Sequence, residues 1–480
     1  MSITFGTDGW RAVISEDFTF DNVRRVAQAI ASVATTPEWF DVPMPSAHAD
    51  LFVVGYDTRF LSAEYAAEVA RVLAGQGLRV LLAERAAPTP AVSFAIPYQR
   101  AAGGVMITAS HNPAKYNGIK VKAAFGGSAS DKQARRIERH LSDKPVQNLP
   151  KFGDLLQCGK IEYFDPAPAY LTHLQTLIDF NLLANYAPKL NVLADSMFGA
   201  GMGYFANILQ PLGIAVSEIR GEVNPSFGGG APEPIERYLT ATRQALVARP
   251  GHFALITDGD ADRIGAMDES GNFVDPHKIM TLCLRDLVER KNQRGAIVKT
   301  VSTTQMLNRQ ARAYGLPIYE TPVGFNYIAD YMMRTAVVMG GEESGGISLL
   351  GHIPEGDGVL MGLAILCAMA ARQSSLQALV ADVLAVFGPA FYTRRDLRLA
   401  QPIAKKEMVK RLSEQAPSAI AGLSVQTVST FDGVKYLMED DSWLLIRPSG
   451  TEPVLRVYAE GKSPTIVAGL MAYGEALSAG

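Results

Sequence analysis

The sequence predicts an α/β protein of several domains that ends in a smaller α+β domain. Three observations carry this reading. Apolar, strand-like runs alternate with helix-like stretches from end to end, the rhythm of mainly parallel sheets covered by helices. The alternation forms three similar units, each with one strand that runs into a small or polar turn and a later strand that ends in a charged or Gly-rich loop. After about residue 387 the pattern changes to one helix-like stretch and a short strand pair.

In chain order, the first unit opens on a buried-strand pattern at 51–55, has apolar residues at helical spacing over 63–73, and continues in a strand at 78–82. Its paired segments are FVVGYDTR at 52–59 and VMITASHNP at 105–113. The second unit has LNVLADSMFGAG at 190–201 and ALITDGDADR at 254–263, and the third has GAIVKTVSTT at 295–304 and VVMGGEESGG at 337–346. The loops differ in length, so no fixed repeat period is present. Composition places the breaks. The stretch 142–149 is mostly polar, contains Pro145 and precedes Pro150; DESGN at 268–272 is a turn cluster; Gly388-Pro389 follows a long helical stretch. The expected domains are therefore 1–155, 156–271, 272–386 and 387–480. The last has a helix-like 403–415, then strands at Val434–Met438 and 442–446 around the acidic turn 439–441.

Composition limits the function. Lys plus Arg is 45 and Asp plus Glu is 48, a net charge of −3 in 480 residues, which argues against a nucleic-acid or acidic-membrane partner. Apolar content of 48% with 19% charged residues excludes a disordered chain. Cys158, Cys283 and Cys367 are too scattered for a disulfide framework or a zinc cluster, as in a reducing compartment. The start, MSITFGTDGW, lacks a signal-peptide pattern. The longest apolar stretch, 358–371, is shorter than the ~20 residues of a membrane span and reads as a buried core helix. A cytoplasmic location without membrane association is expected.

Five segments carry chemistry. In DGDADR, Asp258, Asp260 and Asp262 alternate after an apolar strand, and a curved loop can converge their oxygens on one hard cation, magnesium or calcium. An EF-hand is disfavoured, because Arg263 stands where that loop needs Gly and a strand precedes it. An Asp-nucleophile phosphatase normally has Thr or Val at the place of Asp262. In TASHNP, Ser110 lies at a strand end without the G-x-S-x-G elbow of acyl transfer, a setting that suits phosphate chemistry. His111 is its neighbour, and Lys120 follows ten residues after Ser110. GEESGG offers two acids and a hydroxyl, Glu342, Glu343 and Ser344, to sugar hydroxyls, or is a surface turn. RPSGTEP combines Arg447, Ser449, Gly450 and Thr451 in an anion cradle. FGTDGWR at 5–11 is another Gly-rich turn, bearing Arg11.

In this order, FGTDGWR, TASHNP, DGDADR, GEESGG and RPSGTEP resemble the motifs of the α-D-phosphohexomutase family, which includes phosphoglucomutases and phosphomannomutases. The resemblance spans the chain. It implies three related α/β domains and a smaller C-terminal domain in a heart-shaped molecule with a central cleft. It implies that Ser110 is the phosphorylated serine and that Asp258, Asp260 and Asp262 bind Mg2+ together with a phosphoserine oxygen of Ser110. Glu342 and Ser344 would hold sugar hydroxyls, and Arg447, Ser449, Gly450 and Thr451 the non-reacting phosphate. Arg11, Lys120 and Arg263 would sit near the transferring phosphoryl group, with Lys120, its pKa lowered by burial near Arg11, as general base, and His111, as the neighbour of Ser110, is a further catalytic candidate. The substrates implied are sugar phosphates, with glucose 1,6-bisphosphate as intermediate and activator. Gly346 and Phe325 stand where some members have histidine. The GEESGG loop is closest to the glucose-type pattern, which favours interconversion of glucose 1-phosphate and glucose 6-phosphate. Mannose or dual specificity, release of the bisphosphate by a synthase, and a non-catalytic phosphosugar-binding protein are the alternatives.

Overall fold

The computed structural model describes residues 3–6, 9–41, 48–399, 404–448 and 454–477. Four sheets follow one another along the chain. The first has the order Trp10–Val13, Tyr116–Ala123, Ala101–Ile107, His48–Tyr56, Arg79–Ala83, Ile161–Phe164. The second runs Phe273–Val274, Ile264–Met267, Phe253–Thr257, Asn191–Asp195, Ala215–Ile219, and the third Ile318–Thr321, Ala296–Thr300, Val337–Gly341, Ile347–Leu349.

A common plan underlies all three. A central strand (His48–Tyr56, Asn191–Asp195 or Ala296–Thr300) pairs in parallel with the next strand on one side and with a third strand on the other. That third strand (Ala101–Ile107, Phe253–Thr257 or Val337–Gly341) then pairs antiparallel with the strand that follows it. The triplication expected from the sequence is thus a shared topology. TASHNP, DGDADR and the acidic part of GEESGG all occupy one topological position, the connection from the third strand to its antiparallel return. Such strand ends are where α/β sheets bind ligands.

The element edges follow local chemistry. The apolar stretch 358–371 becomes the helix Gly358–Arg372, capped by the Asp357 carboxylate, which accepts from the Leu360 amide. Its residues from Gly358 to Ala370 are buried in the cluster shared by the second and third sheets, as a helix apolar on all sides requires. Among the described residues no single helix is long and apolar enough to cross a membrane. Two sheets reach beyond the expected breaks. Ile161–Phe164, outside the boundary at 155, adds an edge strand to the first sheet through Arg79–Ala83. Phe273–Val274, just past 271, completes the second sheet against Ile264–Met267.

The fourth sheet is antiparallel throughout, in the order Phe391–Arg398, Val454–Gly461, Trp443–Pro448, Val434–Met438, Leu423–Ser429, Ala419–Ile420. The helices Lys405–Glu414 and Pro464–Ala476 cover one face, burying Met408, Leu412, Leu470 and Met471. On the other face Trp443, Leu445 and Tyr458 pack with Val301 and Val323 of the third unit. This packing brings the C-terminal arginines towards the three loops.

Candidate active site

The TASHNP loop is built around a conformation that few residues adopt. Ser110 has φ of 50°, a left-handed value unusual outside glycine, and is fully buried. Its amide donates to the Thr108 hydroxyl at 2.8 Å, and its own hydroxyl donates to Asp258 Oδ2 at 2.9 Å. The contact bridges the first and second sheets. It is possible because Gly259 has no side chain: a Cβ there would lie 2.5 Å from the Ser110 carbonyl oxygen.

Asp258, Asp260 and Asp262 each offer an oxygen within 4.8 Å of the others, and all three residues are buried. Burial first, and then the charges of Asp262 and Asp260, push the Asp258 carboxyl well above its ordinary value. Asp260 goes the other way. Burial works to raise it, but the Lys120 ammonium and hydrogen bonds from Thr89 and Lys120 outweigh that and hold it below its ordinary value. Asp260 Oδ2 accepts from Thr89 at 2.6 Å and from Lys120 Nζ at 2.9 Å, while Asp262 Oδ2 accepts from Lys120 Nζ at 2.7 Å. Asp260 Oδ1 and Asp262 Oδ1 are buried without a hydrogen-bond partner. Two orphaned carboxylate oxygens in a crowded, mutually repelling trio are what a hard divalent cation satisfies, so the residues fit a metal. Lys120 is buried, with Asp260 and Asp262 among its partners, and Arg11 donates to Asn112 Oδ1 at 2.9 Å.

His111 points to an anion site. Burial first, and then the charges of Arg263, Arg11, Arg394 and Arg59, push its imidazole well below the usual histidine range. A neutral ring among several guanidiniums marks strongly positive potential beside Ser110. Arg263 lies 3.7 Å from Asp262 Oδ1, and its backbone bridges to Gly346. The aspartate loop and the GEESGG loop therefore touch. Gly345, at φ of 97°, makes this approach possible, because a Cβ there would meet the Ile264 carbonyl oxygen at 2.5 Å.

Within the GEESGG loop, Glu342 accepts from the Gly324 amide at 2.9 Å, and Glu343 accepts from the Ser302 hydroxyl at 2.6 Å. Burial, then the charge of Glu343, push Glu342 up to about 8 against the pull of Arg263. Ser344 is half-buried in the same loop. Arg447 donates to Asp432 at 2.7 Å. Ser449, Gly450 and Thr451 lie outside the described residues.

The sequence reading passes over Asp57, Arg59, Thr89, Thr108, Asp432 and Arg394. Arg394 donates through two nitrogens to Asp396, at 2.8 and 2.7 Å, and carries C-terminal positive charge towards His111. Asp57 and Arg59 lie just after the central strand of the first sheet, beside TASHNP. The shared topology is the signal that could have found them.

Four family models match in order: phosphoglucomutase/phosphomannomutase alpha/beta/alpha domains I at 2–147, II at 168–271 and III at 275–387, and the C-terminal domain at 399–473. A probable phosphoglucosamine mutase of Methanosphaera stadtmanae is 31% identical over 96% of this chain and 94% of its own. The chain belongs to the phosphoglucomutase/phosphomannomutase family. A phosphoglucomutase/phosphomannomutase of Thermococcus kodakarensis is 28% identical over 96% of this chain and 95% of its own. The crystal structure of a Thermus thermophilus protein, provisionally named a phosphomannomutase, is 35% identical with a TM-score of 0.86, covering 100% of both chains. Membership of this family makes the protein a phosphohexomutase, an intramolecular phosphotransferase acting on sugar phosphates. The buried aspartate trio is consistent with the family's metal site.

Proposed function

We propose that the protein interconverts glucose 1-phosphate and glucose 6-phosphate, with Ser110 as phosphate carrier. The observation that carries this reading is the buried Ser110 hydroxyl 2.9 Å from Asp258, at the meeting of a metal-competent trio and a ring of guanidiniums. In the forward direction the bond from phosphorus to Ser110 Oγ breaks as a bond to sugar O6 forms, and the O6 proton passes to Lys120 in its neutral amine form, the ammonium that donates to Asp260 and Asp262 in the resting protein having first released a proton to solvent. The bisphosphate turns over within the cleft. Its other phosphoryl group then leaves O1 for Ser110 Oγ, and the proton returns to O1. Asp258, Asp260 and Asp262 would hold Mg2+, which supplies neutralisation of phosphate charge during transfer. Arg11, Arg263 and His111 surround the moving group, and the neutral imidazole of His111 can donate a hydrogen bond without adding charge.

Glu342 and Ser344 orient the sugar, while Arg447, with Ser449, Gly450 and Thr451, holds the phosphate that does not react. The GEESGG loop, with Gly346 in place of histidine, supports glucose as the sugar. A coupled assay for glucose 6-phosphate, with and without added glucose 1,6-bisphosphate, tests the reading. Activity should need Mg2+ and rise with the bisphosphate. The same assay on mannose and glucosamine phosphates ranks the sugars, and a clear preference for either would replace glucose while leaving the mutase chemistry standing.

A further inference from the structure

Arg59 is buried, and every N–H of its guanidinium is used. Nε donates to Asp57 Oδ2 at 3.0 Å. One terminal nitrogen donates to the carbonyls of Pro113 and Tyr116, each at 3.0 Å. The other donates to the carbonyls of Ser110 at 2.5 Å and Asn112 at 2.6 Å. Four backbone oxygens of the serine loop thus converge on one side chain. Asp57 closes a second path to the same serine: it accepts from the Thr108 hydroxyl at 2.6 Å, and that hydroxyl accepts from the Ser110 amide at 2.8 Å.

We infer that Arg59, fixed by Asp57, is the positioning residue that holds Ser110 in its left-handed conformation and aims its hydroxyl at Asp258. This rests on the reading of Ser110 as phosphate carrier. A left-handed serine is costly, so a loop free to relax would turn the hydroxyl away from the aspartate loop. A planar fork with donors at fixed angles pins several carbonyls at once, whereas a lysine ammonium has three donors on a single atom. Arg59 also stacks its guanidinium 4.9 Å from the centre of the Phe227 ring, and Thr58 donates to the Phe198 carbonyl at 2.7 Å. The clamp is therefore braced against the second unit, which supplies the aspartates. Arg59 spends all its donors on protein and acts through the loop.

The test uses the full-length protein and three readouts: the rate at which dephosphorylated protein gains phosphate on Ser110 from glucose 1,6-bisphosphate, followed by intact mass; kcat and KM for glucose 1-phosphate; and Mg2+ affinity by calorimetry. Arg59→Lys keeps the charge beside Asp57 but not the fork. Phosphorylation and kcat should fall together by about 10²-fold, the scale of a small misplacement of a reacting group. KM and Mg2+ affinity should stay within about threefold, because neither sugar nor metal contacts are removed. Wild-type transfer rates in Arg59→Lys, or a loss confined to KM, would overturn the inference. If Arg59→Lys does not accumulate as folded protein, Asp57→Asn decides. It keeps the arginine but removes the carboxylate that fixes its Nε, and should slow transfer by about tenfold, the loss of one hydrogen bond to a charged group. Unchanged transfer there overturns the inference. A wild-type protein that takes no phosphate on Ser110 overturns the mutase reading itself, and the positioning role with it.

Discussion

Arg447 donates to Asp432 at 2.7 Å, and Asp432 also accepts from the Val323 amide at 3.1 Å. This carboxylate joins the C-terminal arginine to the loop that precedes the helix Phe325–Arg334 of the third unit. Burial works to raise Asp432, but Arg447 and Lys405 hold it below its ordinary value, so it remains an anion that fixes the guanidinium. In the proposed reaction, an arginine fixed in this way would hold the phosphate that stays bound throughout and so set the pose of the hydroxyl that reacts. Arg447→Ala should raise KM and lower kcat together, with a fall in kcat/KM of about 10- to 100-fold, the scale of a hydrogen bond to a charged group. Asp432→Asn should show the same pattern more weakly. Steady-state kinetics on glucose 1-phosphate check both, and unchanged values for Arg447→Ala would remove the phosphate-holding role.

Ser110→Ala tests the carrier directly. Protein taken from cells should show a phosphorylated fraction on Ser110 by intact mass and peptide mapping. The alanine variant should lack it and lose nearly all turnover, because neither His111 nor Thr108 is bonded to Asp258 in its place. Full activity in Ser110→Ala would sink the assignment.

Chelation should abolish turnover, and Mg2+ should restore it. Asp260→Ala removes one of the two orphaned oxygens and also the partner of Thr89 and Lys120. The expected cost is about 3–4 kcal/mol of transition-state stabilisation, the scale of a lost electrostatic partner. Undiminished activity of this variant in the presence of chelator would contradict a metal role for the trio.

The candidate-site loops are legible in the sequence because each is a short polar or charged motif at the end of an apolar strand. Ser110, Asp258 and Asp262 announce themselves by type and spacing. Arg59 does not, because its partners in the serine loop are backbone carbonyls of 110–116, and a carbonyl has no signature in a sequence. Thr89 is equally silent, since it reaches Asp260 across 171 positions. The helix Gly358–Arg372 is readable because an uninterrupted apolar run has few other uses. The edge strand Ile161–Phe164 escapes notice because four residues, two of them exposed, give too little alternation to register against a polar linker.

Glu342 should make both stability and substrate binding depend on pH. Burial and the neighbouring Glu343 lift this carboxyl from 4.5 to about 8, so the resting protein holds it protonated at neutrality. Between about 4.5 and 8 the folded chain keeps the proton and the unfolded chain has released it, so folding is favoured less as pH rises through that window. Glu342→Gln fixes the neutral form. Its melting temperature should therefore gain on the wild type as pH rises from 4.5 to about 8, with no further divergence above. Catalysis should change in the other direction, because a carboxylate accepts hydrogen bonds from ring hydroxyls more strongly than a carboxyl does. The wild-type KM for glucose 1-phosphate should fall as pH passes about 8, and Glu342→Gln should lose that inflection. Lys299, pushed down to about 8 by burial and then by Lys435, titrates in the same range. Both proteins contain it, so the difference between their profiles isolates Glu342. The same inflection in the glutamine variant would assign it to another group.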